Sequence, residues 1–119
     1  MKPSISYDQF LALDIRMGVI LSATAPEWSK KLLRFEVDFG EEIGKRIIFS
    51  GIKQWYTPED FVGRAFPFII NLEPKKMGHP SAGSGQGEES QGMMMMADGE
   101  EKPILFQVTE SVQPGTIVR

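Results

Sequence analysis

The chain has 119 residues, which fits one domain with one core, and its 41% hydrophobic and 24% charged residues are ordinary for a soluble globular protein. The lack of cysteine excludes disulfides and thiolate metal sites and agrees with a reducing compartment. No apolar run approaches the ~20 residues of a membrane span, and Met1–Ser6 lacks the apolar stretch of a signal peptide, so no membrane and a cytoplasmic location are expected. The net charge of −3 does not by itself mark a nucleic-acid binder.

Ser6-Tyr7-Asp8-Gln9 has the spacing of a capping box, and with Phe10, Leu11 and Leu13 it predicts a short helix near 7–13. Residues 14–23 read as a strand with Ile15, Met17, Val19 and Leu21 on one face, and Gly18 marks a bulge or bend. A loop follows, broken at Pro26. Residues 32–40 form the clearest strand, with Leu33, Phe35, Val37 and Phe39 inward and Arg34, Glu36 and Asp38 outward. Residues 41–44 read as a hairpin connection into a third strand over 45–51.

Thr57-Pro58-Glu59-Asp60 starts a short helix that Gly63 ends: Thr57 caps, Pro58 suits the first position, and the acids suit the positive end of the dipole. Residues 65–72 are a fourth strand. Pro67 has no N–H, which places it near an edge or a strand start. Residues 78–88, rich in glycine and serine, read as a flexible insert. Residues 93–97 and 104–108 are the next two strands, with Asp98-Gly99 in the turn, and 112–119 ends the chain with a turn and a short strand. Within the methionine run, period two puts Met94 and Met96 in the core and Met93 and Met95 outside. Short strands with a helix after the third follow the order of a mainly β, five-stranded OB-fold barrel with short helices and a terminal extension. A split sheet with two helices also fits the pattern.

Catalytic constellations are not found. The single histidine, His79, lies in the insert, and rigid supports usually carry catalytic groups. The glycine run 83–87 lacks the Lys-Ser/Thr ending of a phosphate loop. No catalytic residue, metal ligand or cofactor is therefore expected. The basic residues are more informative. Residues 30–76 carry nine Lys or Arg against seven Asp or Glu, while the remainder carries four against nine. Lys30, Lys31 and Arg34 flank the second strand, Arg46 opens the third and Ser50 closes it. The segments 71–77 and 89–97 are expected to be neighbouring strands whose rim gathers Asn71, Lys75, Lys76, Ser90 and Met93. Lysines meet phosphates as point charges, and small polar side chains add directional hydrogen bonds. A solvated structural face explains these residues as well as an RNA site does. Trp28, Trp55 and Tyr56 read as cover for the core or an interface, with base stacking as the alternative.

Residues 14–20, 31–40, Ser50-Gly51-Ile52, 56–63, Asn71-Leu72-Glu73-Pro74-Lys75-Lys76-Met77 and Glu89-Ser90-Gln91-Gly92-Met93 occur in an order that resembles a known family. It is the tRNA-binding domain appended to methionyl-tRNA synthetases, which also exists as a free-standing dimeric tRNA-binding protein. The resemblance covers nearly the whole of 1–119. It implies an OB-fold that binds tRNA structure and catalyses nothing, a homodimer joined through residues 1–13 and 108–119, and an aminoacyl-tRNA synthetase as a further partner. It assigns Lys31, Ser50, Asn71, Lys75, Lys76, Ser90 and Met93 to the RNA; Lys30, Arg34 and Arg46 are added from charge and placement. Another branch of the family resembles an export chaperone, so a polypeptide-binding module is the alternative. The chain departs from the family at 78–88, which lengthens a normally short link, and Gly78 stands where an arginine is expected.

Overall fold

The computed structural model describes residues 1–78 and 87–119; most of the expected flexible insert lies outside the described residues. Among the described residues there are nine strands: β1 Ile15–Thr24, β2 Leu33–Asp38, β3 Lys45–Ser50, β4 Ala65–Ile69, β5 Lys75–Lys76, β6 Glu89–Ser90, β7 Met93–Met94, β8 Met96–Asp98 and β9 Pro103–Leu105. Two short helices, α1 Tyr7–Leu11 and α2 Gly40–Ile43, and a 3₁₀ turn over Pro58–Asp60 complete it.

The main sheet runs β3-β2-β1-β4-β7, antiparallel throughout, and β7 returns beside β3 to close an OB-like barrel. The closing edge is stitched by Gln91. Its N–H donates to Ile47 O and its side-chain Oε1 accepts from Ile47 N–H, both at 2.9 Å. Gly92 permits this approach, since a Cβ there would stand 3.0 Å from both Ile48 Cδ1 and Ile69 O.

The expected alternation of β2 holds, with Leu33, Phe35, Val37 and Phe39 all fully buried. They meet Ile20, Ile48, Ile52, Phe61, Phe66, Phe68, Ile70 and Met94 in one core. Burying each such side chain contributes about 1.5–3 kcal/mol. β1 differs in detail. Ile15, Met17, Val19 and Leu21 do share a face, the one turned away from the main core cluster, where Ile15 and Met17 are still buried and Leu21 is exposed, and Gly18 and Ile20 face the core. A Cβ on Gly18 would strike Val37 and Phe39, so glycine lets β1 and β2 lie close. The ladder slips between Ile20 and Ser22, a bulge slightly beyond the expected place.

Pro67 is a correction. It lies mid-strand in β4, and β4 is interior, between β1 and β7. Its partner Met17 turns its own N–H and C=O toward Thr116 and Gly115, so the Met17–Pro67 pair exchanges no bonds. The proline nitrogen therefore faces the β7 side, where pairing is only two residues long, and the ladder tolerates the missing donor.

The capping box at α1 forms as expected, with Gln9 N–H to Ser6 Oγ at 3.1 Å and Ser6 N–H to Gln9 Oε1 at 2.8 Å. The helix expected after Thr57 is only the 3₁₀ turn, and its cap is the Asp60 carboxylate accepting from Thr57 N–H at 2.8 Å. Phe61 then enters the core, which halts the turn. The strand expected over 93–97 breaks at Met95, whose N–H goes to Pro67 O, and β8 pairs with β9 in a separate hairpin. That hairpin ends at Leu105, short of the expected 108. The C-terminal strand reduces to a bridge between Arg16 and Ile117. No helix among the described residues is long and apolar enough to cross a membrane.

Candidate nucleic-acid interface

On β2 and β3, the alternation that buries Leu33 and Phe35 turns Arg34 and Glu36 outward, opposite Phe49 and Ile47. Phe49 is buried although it lies outside the core cluster. The Trp28 ring, 6.0 Å from it and half-exposed, covers it from the β1–β2 loop. Trp28 is thus cover for an outer-face aromatic, as expected, and it still presents ring surface to solvent. Tyr56 packs on Phe61 and donates to Pro103 O at 2.6 Å, the second expected cover residue.

The same β1–β2 loop carries Lys30 and Lys31, both exposed. Ser29 Oγ accepts from the N–H groups of Lys31 (3.2 Å) and Leu32 (3.1 Å), which turns the loop into β2. Lys53 was not among the residues singled out in the sequence. Its N–H donates to Lys31 O and its Nζ to Ser29 O, both at 3.1 Å, so a third cation sits against this loop. Its place just past Ser50-Gly51 was the available signal.

Of the segments 71–77 and 89–97, expected to be neighbours, only β5 and β6 pair with each other, Lys75 opposite Ser90 and Lys76 opposite Glu89. Both lysines are exposed. The hairpin is anchored by Ser90, whose buried Oγ accepts from Phe49 N–H at 3.0 Å and donates to Gly92 O at 3.3 Å. This hydroxyl ties β6 to β3 and is not presented to solvent. Ser50 is likewise buried: it pairs with Leu33 and shares that residue's inward face. Arg46 donates through Nη1 to Ile70 O at 2.5 Å and Gln91 O at 3.2 Å, holding the ends of β4 and β6 together.

Arg34 reaches across β3 to Glu88. Its Nε and Nη2 meet the two carboxylate oxygens at 2.7 Å each, a bidentate fork. The guanidinium holds the Glu88 carboxyl below its usual range, chiefly through that hydrogen bonding, and Glu88 in turn raises the Arg34 value.

Two expected site residues lie elsewhere. Asn71 Oδ1 accepts from Asp14 N–H at 2.8 Å and its Nδ2 donates to Ala12 O at 2.6 Å, so its amide ties the exit of α1 to the end of β4. Met93 is exposed, but it lines an apolar groove of about 470 Å³ with Ile69, Met94, Met96, Pro103 and Phe106. The expected burial of Met94 holds, at 3% exposure, and Met96 packs against the core. Lys30, Lys31, Lys75 and Lys76 are thus exposed and Arg34 is half-buried; Lys30 and Lys31 lead into the strand that carries Arg34, and the Arg34–Glu88 pair links that strand to the hairpin of Lys75 and Lys76. The structure leaves Asn71 and Met93 outside that set of contacts. Among the described residues no group of His, Cys, Asp and Glu is placed to hold a metal.

A strand 2–3 face flanked by the first and the last inter-strand loops is where OB-folds take oligonucleotides. A family model described as "Putative tRNA binding domain" matches residues 15–117. The chain belongs to this family. The methionine–tRNA ligase of Methanothrix thermoacetophila is 42% identical over 118 residues, 99% of this chain but only 16% of that protein. The chain thus spans about one sixth of the length of such curated relatives. A solved structure of a MetRS-related protein from Pyrococcus horikoshii matches at TM-score 0.84 with 34% identity, covering 99% of this chain and 100% of the other. The chaperone CsaA of Bacillus anthracis matches at TM-score 0.81 with 24% identity, a likeness of fold.

Proposed function

We propose that the chain is a non-catalytic module that binds the phosphate backbone of tRNA through the rim of Lys30, Lys31, Arg34, Lys75 and Lys76. The observation that carries this reading is the β5–β6 hairpin, which carries two exposed lysines and is joined to the outward Arg34 through Glu88. Family membership supplies the class of ligand, and phosphate contacts of this kind position a nucleic acid without reading sequence. Trp28 offers a stacking surface beside the charges. Arg46 and Ser90 act by holding the hairpin's backbone, while Asn71 fixes the N-terminal segment. The similarity to methionine–tRNA ligases supports a synthetase as the partner that this module serves, and the cysteine-free composition fits a cytoplasmic setting.

Salt-titrated binding of unfractionated tRNA is the test. With about 3–6 phosphates neutralised, log affinity falls against log salt with a slope of about −3 to −5. Absence of binding at ~50 mM salt sinks the reading. The double variant Lys75→Ala, Lys76→Ala weakens all tRNAs alike and flattens the slope by about two. Both residues are exposed, so its melting temperature stays put.

The second reading, a polypeptide-binding module, is favoured by the apolar groove at Met93, because methionine surfaces adapt to varied partners. Suppression of client aggregation by a protein that ignores tRNA selects it.

A further inference from the structure

Glu88 stands out among the charges of the rim. It precedes β6, and its backbone C=O accepts from Met77 N–H at 2.6 Å, so it sits on the same hairpin that presents Lys75 and Lys76. Its side chain crosses to β2 and occupies the Nε–Nη2 edge of the Arg34 guanidinium, with both contacts at 2.7 Å. The pair is open to solvent, with side-chain exposures of 30% for Arg34 and 49% for Glu88. A carboxylate and a phosphodiester offer a guanidinium the same feature, two oxygens in one plane.

We propose that Glu88 is an internal competitor for phosphate at Arg34, and that it sets the binding threshold of the rim. The inference rests on the backbone-binding reading above. A single phosphate that takes the Nε–Nη2 edge must expel a carboxylate already making two charge-assisted hydrogen bonds there. The expelled charge remains on the hairpin, close to the lysines that attract the ligand. An isolated phosphate or mononucleotide gains little from that exchange. A strand that engages Lys75, Lys76 and Arg34 together offsets it with the additional contacts. The arrangement thus discriminates for a continuous polyanionic backbone and against free nucleotides.

The experiment compares wild type with Glu88→Gln, Glu88→Asp, Glu89→Gln, Arg34→Ala and the double variant Arg34→Ala, Glu88→Gln. The probes are unfractionated tRNA and adenosine monophosphate at fixed salt. Glu88→Gln is expected to tighten tRNA binding about two- to fivefold, the range of an exposed ion pair. It tightens the mononucleotide by at least as large a factor. Glu88→Asp keeps the charge but is one methylene too short for the fork, and it also tightens binding. Glu89→Gln makes the same formal charge change opposite Lys76 and has a smaller effect. In the Arg34→Ala background the Glu88 substitution loses its excess over Glu89→Gln, as a double-mutant cycle requires for a direct contact. Equal effects of the Glu88→Gln and Glu89→Gln changes, or a Glu88 effect undiminished without Arg34, overturn the competitor. Failure of every form to bind tRNA overturns the backbone-binding reading, and the competitor with it. Normal wild-type binding that Glu88→Gln leaves unchanged overturns the competitor alone.

Discussion

Ser90 shows how one residue separates a contact with a ligand from the support of a contact. Its motif position marks it for RNA, yet its hydroxyl is buried and accepts the N–H of Phe49. Replacing it by alanine leaves a buried donor without a partner, a cost of about 1–3 kcal/mol. Ser90→Ala therefore lowers the melting temperature by several degrees in thermal denaturation. Any loss of tRNA affinity follows from a loosened β5–β6 hairpin. Lys75 and Lys76 give the opposite result, weaker binding at unchanged stability, and the two variants side by side distinguish support from contact. An unaltered melting curve for Ser90→Ala contradicts this assignment.

Among the elements, β1 bears the tightest steric condition. It pairs with β2 along one half and β4 along the other, and Gly18 sits where the two pairings meet. A methyl there meets Val37 and Phe39, both fully buried. Overpacking of this kind costs about 1–3 kcal/mol. Gly18→Ala is expected to lower the unfolding free energy by that amount, which moves the denaturant midpoint down with little change in m-value. An unchanged midpoint shows that β2 yields more easily than its packing indicates. The β5–β6 hairpin is a different kind of element. Two residues of pairing do not stabilise a hairpin alone. Ser90, Gln91 and Arg46 supply the remaining ties, all to backbone groups, and so the lysines are free to face outward.

For the molecule as a whole, the chain ends pose the question. α1 has five residues and buries none of them, and a helix that short is not stable by itself. Ile5, Tyr7, Leu11 and Leu13 at one end and Phe106, Val108 and Ile117 at the other are all exposed. Large apolar side chains gathered at the two termini mark an interaction surface. We propose that a homodimer joined through residues 1–13 and 108–119 covers all of these except Phe106, which lines the Met93 groove, and sedimentation equilibrium is then expected to give twice the 13.3 kDa chain mass. Charged substitutions at Leu11 and Ile117 shift the mass toward the monomer while the barrel still melts cooperatively. A wild-type monomer at tens of micromolar removes this assembly from the proposal.

Much of this was legible in the residues themselves. The strict alternation of Leu33, Phe35, Val37 and Phe39, the capping box at Ser6 and the order of the short strands depend on neighbours in sequence, so they define the barrel locally. Family motifs pointed to tRNA, and charge identified the lysines that line the rim. What sequence could not separate was which polar groups face water and which face backbone. Ser90, Asn71 and Arg46 look like ligand contacts in a linear motif, because a hydroxyl, an amide or a guanidinium serves either purpose. Only the folded chain brings Phe49, Ala12 and Ile70 within reach and assigns those side chains to buried or strand-end donors and acceptors. The Arg34–Glu88 fork spans 54 positions for the same reason. Tertiary structure decided it because an unpaired buried polar group is costly, and its partners are wherever the fold places them.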